Sequence, residues 1–113
     1  DAHYYQVHNI QRSADQIPPD GCSLLLSHTP EVYRQAAHAG FGAMLCGHTH
    51  GGQICLPGGY AIVWDSPCPR RLAGGPWTYA GMTGYTSVGS GSSIVNARLN
   101  CLPEITVHEL RRV

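Results

Sequence analysis

Two histidines one residue apart, set among glycines, are the residues of this chain best suited to chemistry. They are His48 and His50 in the run "GHTHGGQ" at residues 47–53. A third, His28, directly follows the largely apolar run at residues 22–27. Neutral imidazoles bind divalent metal ions and exchange protons near neutral pH, and glycines let a backbone turn sharply and approach a ligand closely. This combination indicates metal chemistry.

The elements predicted around these histidines form a strand–helix–strand unit. The apolar runs at 22–27 and 41–46 are bounded by turn signals, which is typical of buried strands. The segment between them predicts a helix, because Thr29 and Pro30 suit its start and Gly40 suits its end. Two strands joined by a helical crossover lie parallel in one sheet.

His28 and His48 follow these two strands, so both fall at the same edge of the predicted sheet. Ligands of α/β sheets bind at that edge, outside the carboxyl ends of the strands. Adjacent strands lie about 4.8 Å apart, a separation that lets two imidazoles reach one ion. We therefore predict that His28 and His48 share a metal ion.

His50 is predicted to serve a neighbouring ion. In extended backbone, residues i and i+2 point the same way and lie roughly 6.6 Å apart. That separation is long for one ion but suits two ions about 3.5 to 4 Å apart, with one imidazole on each. The remaining histidines are interpreted as ordinary surface or packing residues: His3, His8, His38 and His108.

The rest of the chain predicts short elements within one domain that spans residues 1–113. These elements are a helix carrying Val7, Ile10, Ala14 and Ile17, a hairpin within 51–66 around Pro57-Gly58-Gly59, a loop over 68–77, short strands with a Gly/Ser-rich turn within 78–93, and a final alternating strand over 104–112. The expected fold class is α/β, with one βαβ unit followed by mostly antiparallel strands.

The composition of the chain argues against several classes of protein. Seven arginines and seven acidic residues, with no lysine, give a formal net charge of zero. The chain therefore lacks the clustered basic footprint of a nucleic-acid binder. Five cysteines without a CxxC spacing argue against a zinc ribbon or a full disulfide framework. Cys22 and Cys46 are interpreted as small buried residues.

No apolar stretch in the sequence approaches the roughly 18 residues that a membrane span needs. The cysteine usage favours a reducing compartment, so we expect a location in the cytoplasm or peripheral to the membrane. The chain begins without a methionine. We expect it to be a fragment whose upstream segment, including any anchor, lies outside this sequence.

The histidine motifs resemble those of a known enzyme family. "LLLSH" at residues 24–28, followed by "GHTHGGQ", is similar to the last two motifs of the calcineurin-like metallophosphoesterases, a lone histidine and then Gly-His-x-His. The longer run "GHTHGGQICLPGG", together with "CLPEITVHEL" at residues 101–110, most resembles the bacterial YkuE/YaeI-type phosphohydrolases. The resemblance extends over nearly all of the chain.

The resemblance implies a dinuclear metal site in a four-layer α/β/β/α sandwich. By analogy, His28 and His48 bind the second metal and His50 binds the first. The two ions would be divalent cations, from among Mn, Fe, Zn and Mg. They would activate a water that attacks a phosphoester, such as a phosphodiester or a pyrophosphate-linked lipid or nucleotide. Since coordinating imidazoles must be neutral, activity should fall at acid pH.

The chain departs from the family pattern in its carboxylates. The family begins with Asp-x-His, Gly-Asp and Gly-Asn-His or Gly-Asn-Asp motifs, and none occurs here in a usable context, since "DAH" at residues 1–3 follows no apolar strand. We therefore expect residues 1–113 to be the C-terminal portion of a single domain whose missing N-terminal half is its partner. Alone, the chain should hydrolyse little or nothing. It should also expose a sheet face, which either the missing half or a second copy of the chain would cover.

A different class of function is also compatible with the histidines. The alternative is a non-catalytic metal-binding or scaffolding module that keeps only the histidine side of the site. A structural zinc site that uses cysteines is disfavoured by their spacing.

Several other side chains have two interpretations each. Gln53, Arg98 and the Ser-Gly stretch at residues 89–93 either contact phosphate or line the site, or else belong to a surface turn. Four apolar side chains suit either a hydrophobic substrate or ordinary core packing: Ile54, Leu56, Trp64 and Trp77.

Overall fold

Short helices and strands alternate through the first half of the described chain, and strands dominate the second. The structure, a computed structural model, describes residues 9–18 and 20–111. Its helices and strands, in chain order, are α1 (Ile10–Ala14), β1 (Leu24–Leu26), α2 (Tyr33–His38), β2 (Ala43–Cys46), β3 (Cys55–Leu56), β4 (Tyr60–Ala61), β5 (Gly75–Tyr79) and β6 (Met82–Thr86). Short 3₁₀ turns cover Pro30–Val32, His50–Gly52 and Arg70–Leu72.

Four of the strands form one mixed sheet in the order β1-β2-β6-β5. β1 and β2 pair in parallel, which confirms the predicted βαβ unit. β3 and β4 form a separate antiparallel hairpin across the predicted turn at residues 57–59. β5 is antiparallel to β6, but it begins at Gly75, inside the segment over 68–77 that was predicted to be a loop, so that prediction was wrong there. β6 also lies parallel to β2. The class is α/β, and the parallel pairing of β6 is the feature that local patterns did not indicate.

The helix between β1 and β2 begins and ends where the sequence predicts. Thr29 has the extended backbone of an N-cap, and Pro30 opens the 3₁₀ turn that leads into α2. Gly40 follows the helix with a φ of 91°, a conformation that favours glycine. Tyr33 and Ala36 are buried on the face that packs into the core. This crossover leaves the carboxyl ends of β1 and β2 at the same sheet edge.

The first helix is shorter than predicted. It begins after Asn9, whose side chain accepts a hydrogen bond of 2.8 Å from a backbone N–H of the first turn, as N-cap residues do. Ile10, Ala14 and Ile17 pack against the core as their spacing predicts, whereas Val7 lies outside the described residues. In residues 9–18 and 20–111, no helix has the length and apolar character needed to cross a membrane.

Trp77 lies in the core between the sheet and α2. It is opposite Gly84 of β6, and a Cβ atom on Gly84 would lie 2.2 Å from the indole ring. Met44, the neighbour of Gly84 on β2, is completely buried. Tyr33 of α2 meets the indole edge-on, with ring centroids 6.4 Å apart. The missing side chain at Gly84 is therefore what admits the large ring to the core.

Buried hydrogen bonds fix the polar end of this indole. Trp77 Nε1 donates to the hydroxyl of Thr86 at 2.9 Å, and that hydroxyl donates to the carbonyl of Leu72 at 2.7 Å. Thr86 and Leu72 are completely buried. The buried indole N–H and the Leu72 carbonyl therefore both depend on the Thr86 hydroxyl for these hydrogen bonds.

Replacing Thr86 by valine is expected to destabilise the fold by about 2 kcal/mol, because it leaves a buried donor and a buried acceptor unpaired. Urea denaturation followed by tryptophan fluorescence measures the change. The control is Thr83→Val on the exposed face of the same strand, which should stay within about 0.5 kcal/mol of the parent. Equal losses in the two variants would contradict this account.

The face of the sheet opposite the core is apolar and incompletely covered. Because strand side chains alternate, Leu45 points away from the core that holds Met44. Leu26, opposite Leu45 on β1, is 72 % exposed. Ile105 and Val107 from the end of the chain are 90 % and 91 % exposed. The described residues therefore present uncovered apolar surface.

Residues 104–111 do not form the predicted final strand. Polar and apolar residues do alternate in this segment, but the side chains at alternate positions contact one tyrosine instead of facing a neighbouring strand. Glu104 accepts a hydrogen bond from the hydroxyl of Tyr85 at 3.1 Å, and Thr106 donates to the same hydroxyl at 3.2 Å. The ring of His108 lies 4.9 Å from that of Tyr85. The prediction was wrong because alternation specifies two faces but does not supply a neighbouring strand.

The two cysteines interpreted as buried differ in environment. Cys46 lies at the end of β2 and is buried, as expected, with its thiol 3.2 Å from the hydroxyl of Thr86. Cys22 is exposed, so the expectation was wrong there. It lies before the start of β1, on the segment that follows the turn at residue 20.

Candidate functional site

The segment after β2 forms a tight turn that carries two of the predicted histidines. His48 and His50 have left-handed backbones, with φ of 72° and 50°. Thr49 stabilises the turn, since its hydroxyl accepts from the N–H of Gly51 at 3.2 Å and donates to the carbonyl of Ala73 at 2.5 Å. The predicted extended backbone was therefore wrong, and the spacing argument for two separate ions does not hold.

His28 and His48 meet at the sheet edge, as predicted. They follow β1 and β2, and the N–H of Gly47 donates to the carbonyl of His28 at 3.1 Å, which holds the two chain segments together. His28 Nε2 lies 3.0 Å from His48 Nδ1. The ring centroids are 4.8 Å apart with a tilt of 52°. Strand pairing thus places two imidazole nitrogens in direct contact.

The carbonyl of Asp65 orients the imidazole of His48. His48 Nε2 lies 3.2 Å from that oxygen. Because a carbonyl only accepts hydrogen bonds, Nε2 carries the proton, and the lone pair of neutral His48 is on Nδ1, facing His28. A metal-binding histidine commonly donates its other N–H in this way. Sequence reasoning missed Asp65, since a backbone acceptor leaves no signature in side-chain type.

His50 lies apart from this contact, beside Arg98. The guanidinium reaches four carbonyl oxygens: those of Val88 at 2.5 Å, Gly91 at 2.8 Å, Cys101 at 3.3 Å and His50 at 3.5 Å. Its Nη2 also lies 3.5 Å from Nδ1 of His50. All three guanidinium nitrogens are engaged, so Arg98 holds the His50 turn to the later loop instead of presenting a free fork to phosphate.

The environment of His50 favours the neutral form of its imidazole by lowering its pKa. Burial lowers the pKa of His50 below its ordinary value of 6.5, and the positive charge of Arg98 lowers it further, with His48 contributing in the same direction. The folded protein therefore binds this proton less readily than the unfolded chain does. This group contributes stability above about pH 6.5 that is lost as the pH falls from there toward the lower folded pKa.

An NMR titration of the ring protons is expected to place the midpoint of His50 below 6.5. Arg98→Gln should move this midpoint upward, because it removes a positive charge beside the ring. Arg12→Gln, on exposed α1, is the control and should leave the midpoint unchanged. A His50 midpoint that is indifferent to Arg98→Gln would show that the charge does not act on this ring.

Gln53 is a second residue that organises the loop. Its side-chain oxygen accepts from the N–H of Ser93 at 2.7 Å, and its nitrogen donates to the carbonyls of Ser93 at 3.0 Å and Val95 at 2.7 Å. Gln53 is buried. The surface-turn interpretation of Gln53 was therefore wrong: the residue lines the site beside His48 and His50 and holds the 93–95 loop against the histidine turn.

A cavity of about 230 Å³ opens beside His48 and His50. Its apolar walls are formed by Ile54, Val63, Trp64, Ile94 and Val95. Of the four apolar residues singled out from sequence, Ile54 and Trp64 line this cavity, Trp77 packs in the core, and Leu56 is exposed elsewhere. The cavity thus sets imidazoles against an apolar wall, a combination typical of small-molecule sites.

Five residues that line this cavity have left-handed backbones although none is glycine. They are His48, His50, Gln53, Asp65 and Ile94, with φ of 72°, 50°, 57°, 45° and 61°. Such conformations cost of order 1 kcal/mol each and persist where surrounding contacts impose them, as at binding sites. Their concentration around one cavity supports a functional role for this loop.

The other histidines do not join the site where the structure describes them. His38 is exposed at the end of α2, and His108 packs on Tyr85, whereas His3 and His8 fall outside the described residues. Within residues 9–18 and 20–111, no three His, Cys, Asp or Glu side chains are grouped closely enough to hold a metal ion. The described residues therefore supply a histidine pair, and no cysteine-containing zinc cluster.

Comparison with known proteins identifies three bacterial relatives. The chain is 37 % identical over 90 residues to phosphodiesterase YaeI of Escherichia coli K12, covering 77 % of this chain and 32 % of YaeI. It is 32 % identical over 92 residues to the metallophosphoesterase YkoQ of Bacillus subtilis 168, covering 80 % and 34 %. For the metallophosphoesterase YkuE of the same organism the identity is 33 % over 89 residues, covering 79 % and 31 %.

These matches cover most of this chain but only part of each relative. The chain spans about a third of the length of the curated relatives it matches. No protein-family model matches it. No solved structure matches it either.

Proposed function

Because the chain belongs to the metallophosphoesterases, we propose that it supplies the histidine side of a divalent-metal site that hydrolyses a phosphoester. The observation that carries this proposal is the contact between His28 and His48 at the ends of two parallel strands. The names of the three relatives support the reaction class. The name of YaeI supports a phosphodiester as the substrate class.

The histidine pair fits one metal ion. Two nitrogens bound to one ion at 2.0–2.1 Å in roughly tetrahedral geometry stand about 3.3 Å apart. His28 Nε2 and His48 Nδ1 are already 3.0 Å apart, so a small rotation of either ring accommodates an ion. The bond from His48 Nε2 to Asp65 leaves the correct nitrogen free to bind. These two residues would hold one of the two ions.

The second ion is assigned to His50 by analogy with the family. Two divalent cations, from among Mn, Fe, Zn and Mg, would neutralise the negative charge that develops on the phosphoryl oxygens. The imidazoles must be neutral to bind them, and the lowered pKa of His50 favours that form. Hydrolysis is therefore expected to fall at acid pH. Within residues 9–18 and 20–111 no three His, Cys, Asp or Glu side chains form a metal-binding group, and the carboxylate ligands are proposed to come from the rest of the domain.

The cavity supports a substrate that carries an apolar group next to its phosphoester. Ile54, Val63 and Ile94 are 46 %, 70 % and 97 % exposed and line the same cavity as His48 and His50. Transfer of such surface out of water is favourable. A phosphodiester or pyrophosphate-linked compound with a hydrophobic substituent would contact the histidines through its phosphoester and the apolar residues through that substituent.

We propose that residues 1–113 are one portion of a single four-layer domain. The exposed apolar face around Leu26 supports this, since a second sheet packed there would remove it from water. The relatives are about three times longer than the stretch they share with this chain. The remainder of the domain is the proposed partner, and self-association of the chain is the expected substitute when that partner is missing.

The test is hydrolysis of bis-p-nitrophenyl phosphate, measured with added Mn²⁺ and with EDTA. It compares this chain with a longer protein in which a segment carrying the Asp-x-His, Gly-Asp and Gly-Asn-His or Gly-Asn-Asp motifs precedes it. We expect metal-dependent turnover by the longer protein and none by the chain alone. A longer protein that binds metal but shows no turnover with Mn²⁺, Fe²⁺, Zn²⁺ or Mg²⁺ would favour the scaffolding alternative. Turnover by the chain alone would contradict the proposed division of the site.

A further inference from the structure

Two cysteines lie together behind the histidine turn. Cys55 belongs to β3 and is buried, whereas Cys101 is partly exposed in the segment that follows the 88–98 loop. Both thiols donate to the carbonyl oxygen of Gly51, at 3.3 Å from Cys55 and 3.8 Å from Cys101. Burial raises the pKa of the Cys55 thiol, and the neighbouring Cys101 thiol raises it further. The sulfur atoms therefore face a shared space.

The backbones that carry the two thiols are fixed next to each other. The N–H of Cys55 donates to the carbonyl of Leu99 at 2.9 Å, and the side chain of Asn100 donates to the carbonyl of Cys55 at 3.0 Å. Leu99 also forms a parallel bridge with Ile54. These contacts hold Cys55 beside residues 99 and 100, the two residues that precede Cys101.

The space for the sulfur of Cys101 depends on Gly51. A Cβ atom at that position would lie 2.9 Å from the Cys101 sulfur. Cys101 also donates to the carbonyl of His50 at 3.3 Å. The thiol pair thus contacts the same turn that carries His50.

We propose that Cys55 and Cys101 form a disulfide when the protein encounters hydrogen peroxide, and that this bond fastens the His50–Gly52 turn. The more exposed Cys101 thiol reacts first: the peroxide O–O bond breaks, the sulfur gains a hydroxyl as sulfenic acid, and one water leaves. The Cys55 thiol then attacks that sulfur, the S–O bond breaks, an S–S bond forms, and a second water leaves. The two thiols are oxidised by two electrons in total, and the peroxide is reduced.

The other cysteines provide internal comparisons. Cys46 and Cys68 are buried in the core, where peroxide has little access. Cys22 is exposed and accessible, so oxidation governed by exposure alone would consume it first. The proposal instead predicts one intramolecular link, between Cys55 and Cys101.

The test is peptide mapping of the whole chain after treatment with a small excess of hydrogen peroxide. Unreacted thiols are first alkylated, and digestion with trypsin and chymotrypsin is followed by tandem mass spectrometry. We expect the principal product to be a Cys55–Cys101 cross-link lacking two hydrogen atoms. Cys22→Ser should leave its yield unchanged, whereas Cys55→Ser and Cys101→Ser should each abolish it.

The oxidised chain should also melt at a higher temperature than the reduced chain, by about 5 °C or more, because the bond restricts the unfolded state. This rise should be absent in Cys101→Ser. Dominant Cys22-linked dimers, or links distributed among all five cysteines, would overturn the proposal. Neither readout depends on metal binding or hydrolysis, so failure here is distinguishable from failure of the proposed function.

Discussion

Replacing Gly84 by alanine is expected to destabilise this fold by roughly 3 kcal/mol, the upper part of the usual range for overpacking a core. The added Cβ atom would lie 2.2 Å from two atoms of the Trp77 ring and 2.3 Å from a third. The ring cannot retreat freely, since its Nε1 is held by Thr86 and Tyr33 packs against its edge. Relief of the clash therefore disrupts the hydrogen bond or the packing of α2.

Thermal and urea denaturation of Gly84→Ala measure this loss. The matched control is Gly91→Ala, at a position where a Cβ atom would meet nothing within 4 Å. Trp77→Phe should partly rescue Gly84→Ala, because the smaller ring vacates the space that the new methyl group needs, and the double-mutant cycle should show a favourable coupling. A Gly84→Ala variant as stable as Gly91→Ala would show that Trp77 does not pack as described.

In the longer protein, His48→Ala is expected to lower metal-dependent hydrolysis at least about 100-fold. Mutating a residue that merely supports a metal ligand typically lowers metal affinity or activity about 10–100-fold. His48 is proposed as a ligand itself, so its loss should lower activity by at least as much. The fold should survive, because His48 is only half-buried and makes no contribution to the core cluster. His28→Ala should have the same consequence, since the two rings are proposed to hold one ion.

The comparison for these variants is His38→Ala, which removes an exposed imidazole on α2. Its activity should match the parent protein. Metal content by atomic absorption and unfolding temperature should accompany each assay, so that lost ligation is separated from lost structure. Full turnover by a correctly folded His48→Ala protein would exclude His48 from the catalytic metal site.

The βαβ unit and the placement of His28 and His48 were predictable from sequence for physical reasons. Buried strands need continuous apolar runs, Pro30 and Gly40 mark a helix start and stop, and a crossover between strands has one favoured arrangement. Those rules fix which sheet edge the two histidines share. The structure confirms that contact at 3.0 Å.

The rest of the site was not predictable because distant contacts create it. The turn that takes His50 out of extended backbone depends on the hydroxyl of Thr49 reaching Ala73. The roles of Gln53 and Arg98 depend on backbone carbonyls some forty residues away or in neighbouring loops. A local pattern of residue types carries no information about such partners.

The same reasoning explains the errors in the second half of the fold. The segment 104–111 alternates like a strand, yet Tyr85 gathers one set of its side chains and no neighbouring strand pairs with it in the described residues. β6 joins β2 in parallel although the two are separated by the hairpin and the loop that follows. Alternation determines which residues share a face, whereas strand partners are determined by packing of the whole domain.

The central claim, that His28 and His48 together hold a metal ion, is tested most directly by imidazole ¹⁵N NMR of this chain during titration with diamagnetic Zn²⁺. Ligation moves the resonance of the bound nitrogen and leaves the protonated one with its hydrogen. We predict that Nε2 of His28 and Nδ1 of His48 shift together, while Nε2 of His48 remains protonated on the Asp65 carbonyl. Shifts at His38 and His108 with none at His28 and His48, or ligation of His48 through Nε2, would contradict the account.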